Sequence, residues 1–329
     1  MSLDSLSTTS SSAFSQALEG KNRGRPPVWL MRQAGRYMPE YRAIRTRHSI
    51  MEMFRTPELI TEVTLLPIDL LGVDAAILFS DILILFDMLG IEWTIEPGVG
   101  PVVQPAPALH YRPPEEAVPF VGEAIAHLRQ QLNVPLIGFC GAPFTLASYL
   151  LEGQSSKTLS KTRAMMYRDP QQFHLLLDQL ADAAIALLRF QIDAGVQAVQ
   201  IFDSWAHWLA PEQLREFSMR YLKKIADAVD VPVILFSRGP HAALYSEIGP
   251  VSLDWQCDLA AIRKQTTVPI QGNLDPAVLY ADRTTITREA NRLLNSMAGD
   301  PAYIFNLGHG VYPDIPFDNV KFLVELVHE

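Results

Sequence analysis

The chain has 329 residues, 48% hydrophobic and 19% charged, which suits a soluble globular fold with a large core. Its formal net charge of −9 argues against general nucleic-acid binding, and no apolar run reaches the ~18 residues that a membrane-spanning helix needs. Two cysteines, Cys140 and Cys257, support neither a disulfide framework nor a thiolate metal site and suit a reducing compartment.

Residues 1–20 are rich in Ser and Thr and poor in apolar periodicity, which predicts a disordered tail. The stretch lacks the apolar core of a secretory signal, so the expected location is cytoplasmic. A single domain is expected over residues 21–329, because no repeat or low-complexity linker divides them. That domain opens on a basic stretch, Lys21, Arg23, Arg25, Arg32, Arg36, Arg42, Arg45 and Arg47, with Glu40 as its lone acid. On an acidic protein such a stretch is either a seat for a small polyanion or a solvated basic surface.

Short apolar runs then alternate with amphipathic stretches of helical length. The runs are residues 28–31, 75–80, 136–140, 198–202, 233–236, 251–255, 268–273 and 303–307. Nearly continuous hydrophobic runs of this length are what a parallel sheet covered on both faces requires. Thr56-Pro57 begins a helix in capping style, and apolar spacing predicts another over residues 171–194, stopped at Gly195. Eight strands with helices between them predict a single (β/α)8 TIM-type barrel, with its active site at the C-terminal ends of the strands. An open doubly wound sheet is the alternative, but no Gly-x-Gly-x-x-Gly turn follows the first strand. Two excursions interrupt the alternation. Residues 91–107 carry Pro-Gly and Gly-Pro turn signals for a hairpin, and residues 152–162 have the polar composition of a lid.

The strand exits carry the chemistry. They offer Arg32, Gln33 and Arg36, then Asp81, then Tyr149 beyond Gly141-Ala142-Pro143. Asp203-Ser204, Arg238 with His241, Asp254, Asn273 with Asp275, and His309 between Gly308 and Gly310 follow. Each has a structural explanation beside the functional one. Asp81, Asp203 and Asp275 read equally well as helix caps, and Asp254 as a buried carboxylate satisfied by backbone. Tyr149 reads as core. His309 between glycines fits a close approach to a ligand, and two arginines at a barrel mouth demand anionic partners. Cysteines and histidines show no ligand spacing, so no metal site is expected. Neither a nucleotide-phosphate loop nor a Gly-x-Ser-x-Gly elbow is present.

Taken in order, several of these segments form a specific set. Met31-Arg32-Gln33-Ala34-Gly35-Arg36-Tyr37 with Pro39-Glu40-Tyr41-Arg42 resembles the opening signature of the uroporphyrinogen decarboxylase family. Phe79-Ser80-Asp81, Gly141-Ala142-Pro143-Phe144-Thr145-Leu146 with Tyr149, and Phe202-Asp203-Ser204-Trp205 are similar to later motifs of that family. So are Leu253-Asp254-Trp255, Gly272-Asn273-Leu274-Asp275-Pro276 and Asn306-Leu307-Gly308-His309-Gly310. The resemblance implies a homodimeric, cofactor-free barrel enzyme of haem biosynthesis that converts uroporphyrinogen III to coproporphyrinogen III. By motif it places substrate contacts on Arg32, Gln33, Ala34, Gly35, Arg36, Asp81, Tyr149, Ser204 and His309; for such a substrate the catalytic candidates are Asp81, as an anion that stabilises a cationic pyrrole, and Arg32, at the proton donor. Two departures bear on pocket shape: His207 stands where the family has a small residue, and the stretch from Arg238 to Trp255 is about one helical turn short. The rival readings are a corrinoid-linked methyltransferase, which would need a zinc site, and a non-catalytic tetrapyrrole binder.

Overall fold

The computed structural model describes residues 12–106 and 108–329. Seven parallel strands form one curled sheet in strict chain order: β1 (Ala76–Ile77), β4 (Leu136–Gly141), β5 (Ala198–Asp203), β6 (Val233–Ser237), β7 (Val251–Ser252), β8 (Ile270–Leu274) and β9 (Tyr303–Leu307). An antiparallel hairpin, β2 (Trp93–Glu96) with β3 (Gly100–Val103), stands apart from it where turn chemistry predicts one.

The eighth position of the barrel is held by residues 27–31, which form a single parallel bridge, Val28 to Phe305, and no regular strand. On one side Phe305 N–H donates to Pro27 O at 2.9 Å, and on the other Asp74 N–H donates to Val28 O at 2.7 Å. Pro26 and Pro27 lack amide donors, so a longer ladder cannot start there. Asp74 reinforces the join: its carboxylate accepts from Val28 N–H at 2.7 Å and pairs both oxygens with Arg25. A barrel of TIM type results, closed by side chains where the ladder fails.

The barrel interior is more polar than the apolar runs suggested. Trp29 Nε1 donates to Gln271 Oε1 at 2.7 Å, and Gln271 Nε2 donates to Gln200 Oε1 and Ser252 Oγ. These bonds satisfy Trp29 Nε1 and the Gln271 amide, while Gln200 Nε2 is left buried without a partner among the described residues. Outside the sheet, the longest helix, Pro170–Ala194, begins with Pro170 in its first turn and Asp169 accepting from Gln172 N–H, and ends at Gly195. Its buried face includes Leu177, Leu180, Ala181, Ala184, Leu187 and Leu188, which continues the i, i+3, i+4, i+7 spacing of a core-facing stripe.

Three expectations need correction. The disordered tail does not extend to Gly20: Ser12 caps a helix over Ala13–Leu18, and Phe14 and Ala17 are buried in the main core. The remainder of that tail, residues 1–11, lies outside the described residues. Thr56 begins the helix Pro57–Leu71 but makes no side-chain cap hydrogen bond. The excursion over residues 152–162 is tied at both ends, because Glu152 Oε1 accepts from Thr162 N–H and Oγ1 at 2.9 Å.

Candidate active site

A cavity of about 710 Å³ opens at the C-terminal ends of the strands, within the size range of small-molecule sites. Phe139, Phe202 and Phe236 from β4, β5 and β6 contribute to its wall and pack edge to face in sequence, at 5.5 and 5.8 Å between ring centroids. Phe79, Ile82 and Phe54 extend the apolar surface, and the hairpin tip, Glu96 to Gly100, overhangs the mouth.

Arg32, Arg36 and Arg45 line this cavity. The turn bearing Arg32 is held on three sides. Met31 N–H donates to Asn306 Oδ1 at 3.0 Å, Gln33 N–H to Leu30 O at 2.9 Å, and Val311 N–H to Met31 O at 2.9 Å. Arg32 itself sits at φ 58°, in the left-handed region that an L side chain rarely adopts, a cost of roughly 1–2 kcal/mol. Strain at a residue aimed into a cavity marks a site held for use. Elsewhere in the basic stretch the charges are spent on structure: Arg25 on Asp74, Lys21 on Glu19, and Arg42 on the carbonyls of Arg36 and Tyr37. Arg45 donates to His48 O and also lines the cavity.

Asp81 lies in the same wall, and the only other acid lining the cavity is Glu96, exposed at the hairpin rim. The cap expected of Asp81 is formed, and it is formed at the cavity wall. Its Oδ1 accepts from Leu83 N–H at 2.9 Å and caps the 3-10 turn Ile82–Ile84, which fixes the carboxyl group at the cavity edge. Burial pushes this carboxyl above its usual range, while the Leu83 amide and the Arg32 guanidinium pull it back toward the ionised form.

Gln33, Ala34, Ser204 and His309 also line the cavity. The Gln33 side chain is occupied, however: its Oε1 accepts from Leu30 N–H and its Nε2 donates to Ala75 O, joining the first barrel position to the chain before β1. Gly35 is not in the wall; a Cβ there would meet Arg32 O and the Tyr37 ring. Tyr149 stands beside the cavity, its ring 5.8 Å from that of Trp205 and near enough to Asp81 that burial and the Asp81 charge raise its hydroxyl pKa. Burial and the guanidinium groups of Arg32 and Arg238 push His309 down to about 4, so the imidazole is neutral at pH 7. Its Nδ1 is buried without a partner among the described residues.

The matches to known proteins bear on what such a site serves. Residues 9–329 match the family described as uroporphyrinogen decarboxylase. A uroporphyrinogen decarboxylase of Protochlamydia amoebophila is 48% identical, across 98% of this chain and 93% of its own. Those of Syntrophotalea carbinolica and Thermus thermophilus are 44% and 43% identical, across 96% and 95% of this chain and 96% of theirs. The chain belongs to the uroporphyrinogen decarboxylase family. Among solved structures, a methyltransferase from Methanosarcina mazei superposes with a TM-score of 0.80 over 96% of this chain and 98% of its own. At 21% identity it shows the shared barrel fold alone.

Two family motifs serve packing in this chain. Asp203 is fully buried and does not cap a helix: Thr145 Oγ1 donates to its Oδ1 at 2.7 Å, and Tyr245 Oη and Ser218 Oγ donate to its Oδ2 at 2.7 and 2.5 Å. The glycines flanking His309 make room for protein. A Cβ on Gly308 would meet the Trp255 backbone, its Cα at 2.9 Å, and one on Gly310 would meet the Arg32 side chain. Asp254 accepts from Gln256 N–H through Oδ1, but its Oδ2 is buried without a partner among the described residues, so backbone satisfies only half of that carboxylate. His207 stacks between Trp205 and Trp208, with centroids at 6.1 and 5.7 Å. The short stretch after Arg238 is a 3-10 helix, Pro240–Glu247.

Sequence reasoning had placed Arg45 only in the basic stretch, not at the site. Tyr41 and Arg45 are four apart on the helix Pro39–Arg47 and both line the cavity, a helical spacing legible in the sequence. No group of three His, Cys, Asp or Glu among the described residues converges as metal ligands do. Burial raises both thiols, that of Cys257 to about 11.

Proposed function

We propose that this protein removes the carboxyl groups of the four acetate arms of uroporphyrinogen III, yielding coproporphyrinogen III without a cofactor. The observation that carries this reading is one cavity holding a fixed carboxyl group, three guanidinium groups and an apolar wall. The family membership supports it independently.

Loss of CO2 from an acetate arm leaves an electron pair that needs a sink, and decarboxylases often supply one as a cofactor. A pyrrole serves as its own sink once a proton is added to the ring carbon next to the one bearing the arm, which leaves positive charge on the arm-bearing carbon. The carbon–carbon bond then breaks, its electrons neutralise the cationic ring, and an exocyclic methylene results. A proton added to that methylene and loss of the ring-carbon proton give back a pyrrole carrying a methyl group. Net, each arm exchanges CO2 for one proton.

Asp81 accepts pyrrole N–H groups and gains attraction as the ring becomes cationic, so it stabilises the transition state more than the ground state. Arg32, Arg36 and Arg45 grip arm carboxylates, which guanidinium forks match bidentately. Arg32 also positions the proton source, a carboxyl group it holds or its own N–H. Backbone at Gln33 and Ala34, together with Tyr149, Ser204 and His309, orients the remaining arms, while Gly35 shapes the turn behind them. The protein works as a homodimer in the cytoplasm, which sedimentation and fractionation test separately.

The deciding experiment is anaerobic incubation with uroporphyrinogen III in the presence of a chelator, with products separated by carboxyl number. Sequential seven-, six-, five- and four-carboxylate products are expected. Unchanged octacarboxylate from a folded enzyme refutes the activity; turnover abolished by the chelator and restored by metal refutes the cofactor-free mechanism.

A further inference from the structure

The three guanidinium groups in the cavity wall leave the chain between residues 32 and 45, so one short segment supplies them all. The proposed substrate, by contrast, carries carboxylates around its whole circumference. On another part of the mouth, β5 and β6 run in register, with Phe202 opposite Phe236 and Asp203 opposite Ser237. Successive side chains of a strand point to opposite faces. Phe202 and Phe236 both line the cavity, and Ser204 and Arg238 stand two residues further on, just past the ends of β5 and β6, with Arg238 next to the lining and not part of it. Ser204 does line the cavity.

Arg238 is half-buried, and its Nε is buried with no hydrogen-bond partner among the described residues. Asp254, whose charge acts on His207 together with that of Arg238, accepts from Gln256 N–H through Oδ1 and makes no ion pair with Arg238 among the described residues, although its Oδ2 is unpartnered. The His309 imidazole lies 6.3 Å from the Phe236 ring and is affected by the charges of both Arg32 and Arg238. A cation with an unpartnered Nε, beside a neutral imidazole whose Nδ1 is also unpartnered, is a seat for an anion.

We propose that Arg238 binds a carboxylate arm of the substrate beside His309 and so helps set which arm stands over Asp81. This rests on the tetrapyrrole reading above and adds a specificity-determining contact to it.

Arg238→Gln and Arg238→Lys test the proposal in anaerobic steady-state kinetics with uroporphyrinogen III beside the wild type. Loss of one charge-assisted contact raises KM roughly 10- to 100-fold in Arg238→Gln, with a much smaller fall in kcat and a flatter dependence of KM on salt. Arg238→Lys, which keeps the charge but not the fork, recovers part of the loss. An unchanged KM in Arg238→Gln overturns this contact while leaving the decarboxylase reading standing, whereas an inactive wild type overturns the reading itself. Should Arg238→Gln fail to fold, the wild type decides through phenylglyoxal modification mapped by peptide mass spectrometry. Uroporphyrin, the oxidised and unreactive octacarboxylate, is expected to protect Arg238 and to leave the exposed Arg215 and Arg288 unprotected. Equal adduct at Arg238 with and without it overturns the contact.

Discussion

The packing of Arg32 against Gly310 gives the sharpest test of the proposed site. A Cβ at position 310 would stand 2.6 Å from Arg32 Cγ and 3.0 Å from Nε, and closer still to Cδ. Carbon atoms in contact prefer about 3.5–4.0 Å, so in Gly310→Ala the arginine stem must move by roughly 1 Å or more. Position 310 is not in the left-handed region, and the Arg32 side chain reaches solvent. The variant is therefore expected to fold with a near-normal Tm, because the stem swings outward and the backbone stays. A displacement of that size at a catalytic group costs about 10²-fold, and kcat/KM should fall to near the level of Arg32→Ala. The assay is a double-mutant cycle on kcat/KM. In Arg32→Ala the alanine at 310 meets no stem, so the double variant should match Arg32→Ala within about 2-fold, the non-additivity expected of contacting residues. If Gly310 instead makes room for substrate, the two losses multiply, and that result refutes the reasoning.

Three further outcomes are expected. Asp81→Asn keeps the shape of the cap acceptor but removes the charge, and should lower kcat by at least ~10²-fold with little change in Tm; near-normal turnover removes Asp81 from the mechanism. The acid limb of kcat/KM against pH should lie above the ordinary Asp range, because burial raises Asp81. In Arg32→Ala, with the lowering influence of that guanidinium gone, the limb should move to still higher pH; a limb that stays or moves down contradicts the coupling. Tyr245→Phe removes one of three side-chain donors to the buried Asp203 and should cost about 1–3 kcal/mol in urea unfolding, whereas an unaltered unfolding midpoint would show that Ser218 and Thr145 suffice.

The barrel order and the positions of Arg32, Asp81, Ser204 and His309 were legible in the sequence because strand exits in this fold converge on one mouth. What the sequence could not resolve was how each residue divides its contacts. Gln33 lines the cavity but spends its amide on Leu30 and Ala75. The glycines around His309 yield to Trp255 and Arg32, contacts across the barrel that no local pattern encodes. Phe139, Phe202 and Phe236 read as core because a buried strand has apolar residues on both faces; only barrel curvature separates those that line the cavity. The helix Ala13–Leu18 was hidden by its serines, which weaken helix propensity although Ser12 is a good cap.

The two readings of Asp81 depend on each other. A carboxyl group free to rotate at a wet cavity edge would reorganise as the ring charge develops and lose much of its effect. The Leu83 amide holds Oδ1, and β1 ends just before the turn that carries it, so the carboxyl group is aimed before substrate arrives. The same amide favours the anion, with Arg32 acting in the same direction and burial against it. A group balanced in this way binds a cationic ring more strongly than a neutral one, because pairing with the new charge removes the penalty that burial imposed. The apolar wall of Phe139, Phe202 and Phe236 keeps water from screening that attraction. In the proposed mechanism the cap, the guanidinium groups and the phenylalanine wall thus act on one variable, the free energy of a positive charge on the ring beside Asp81.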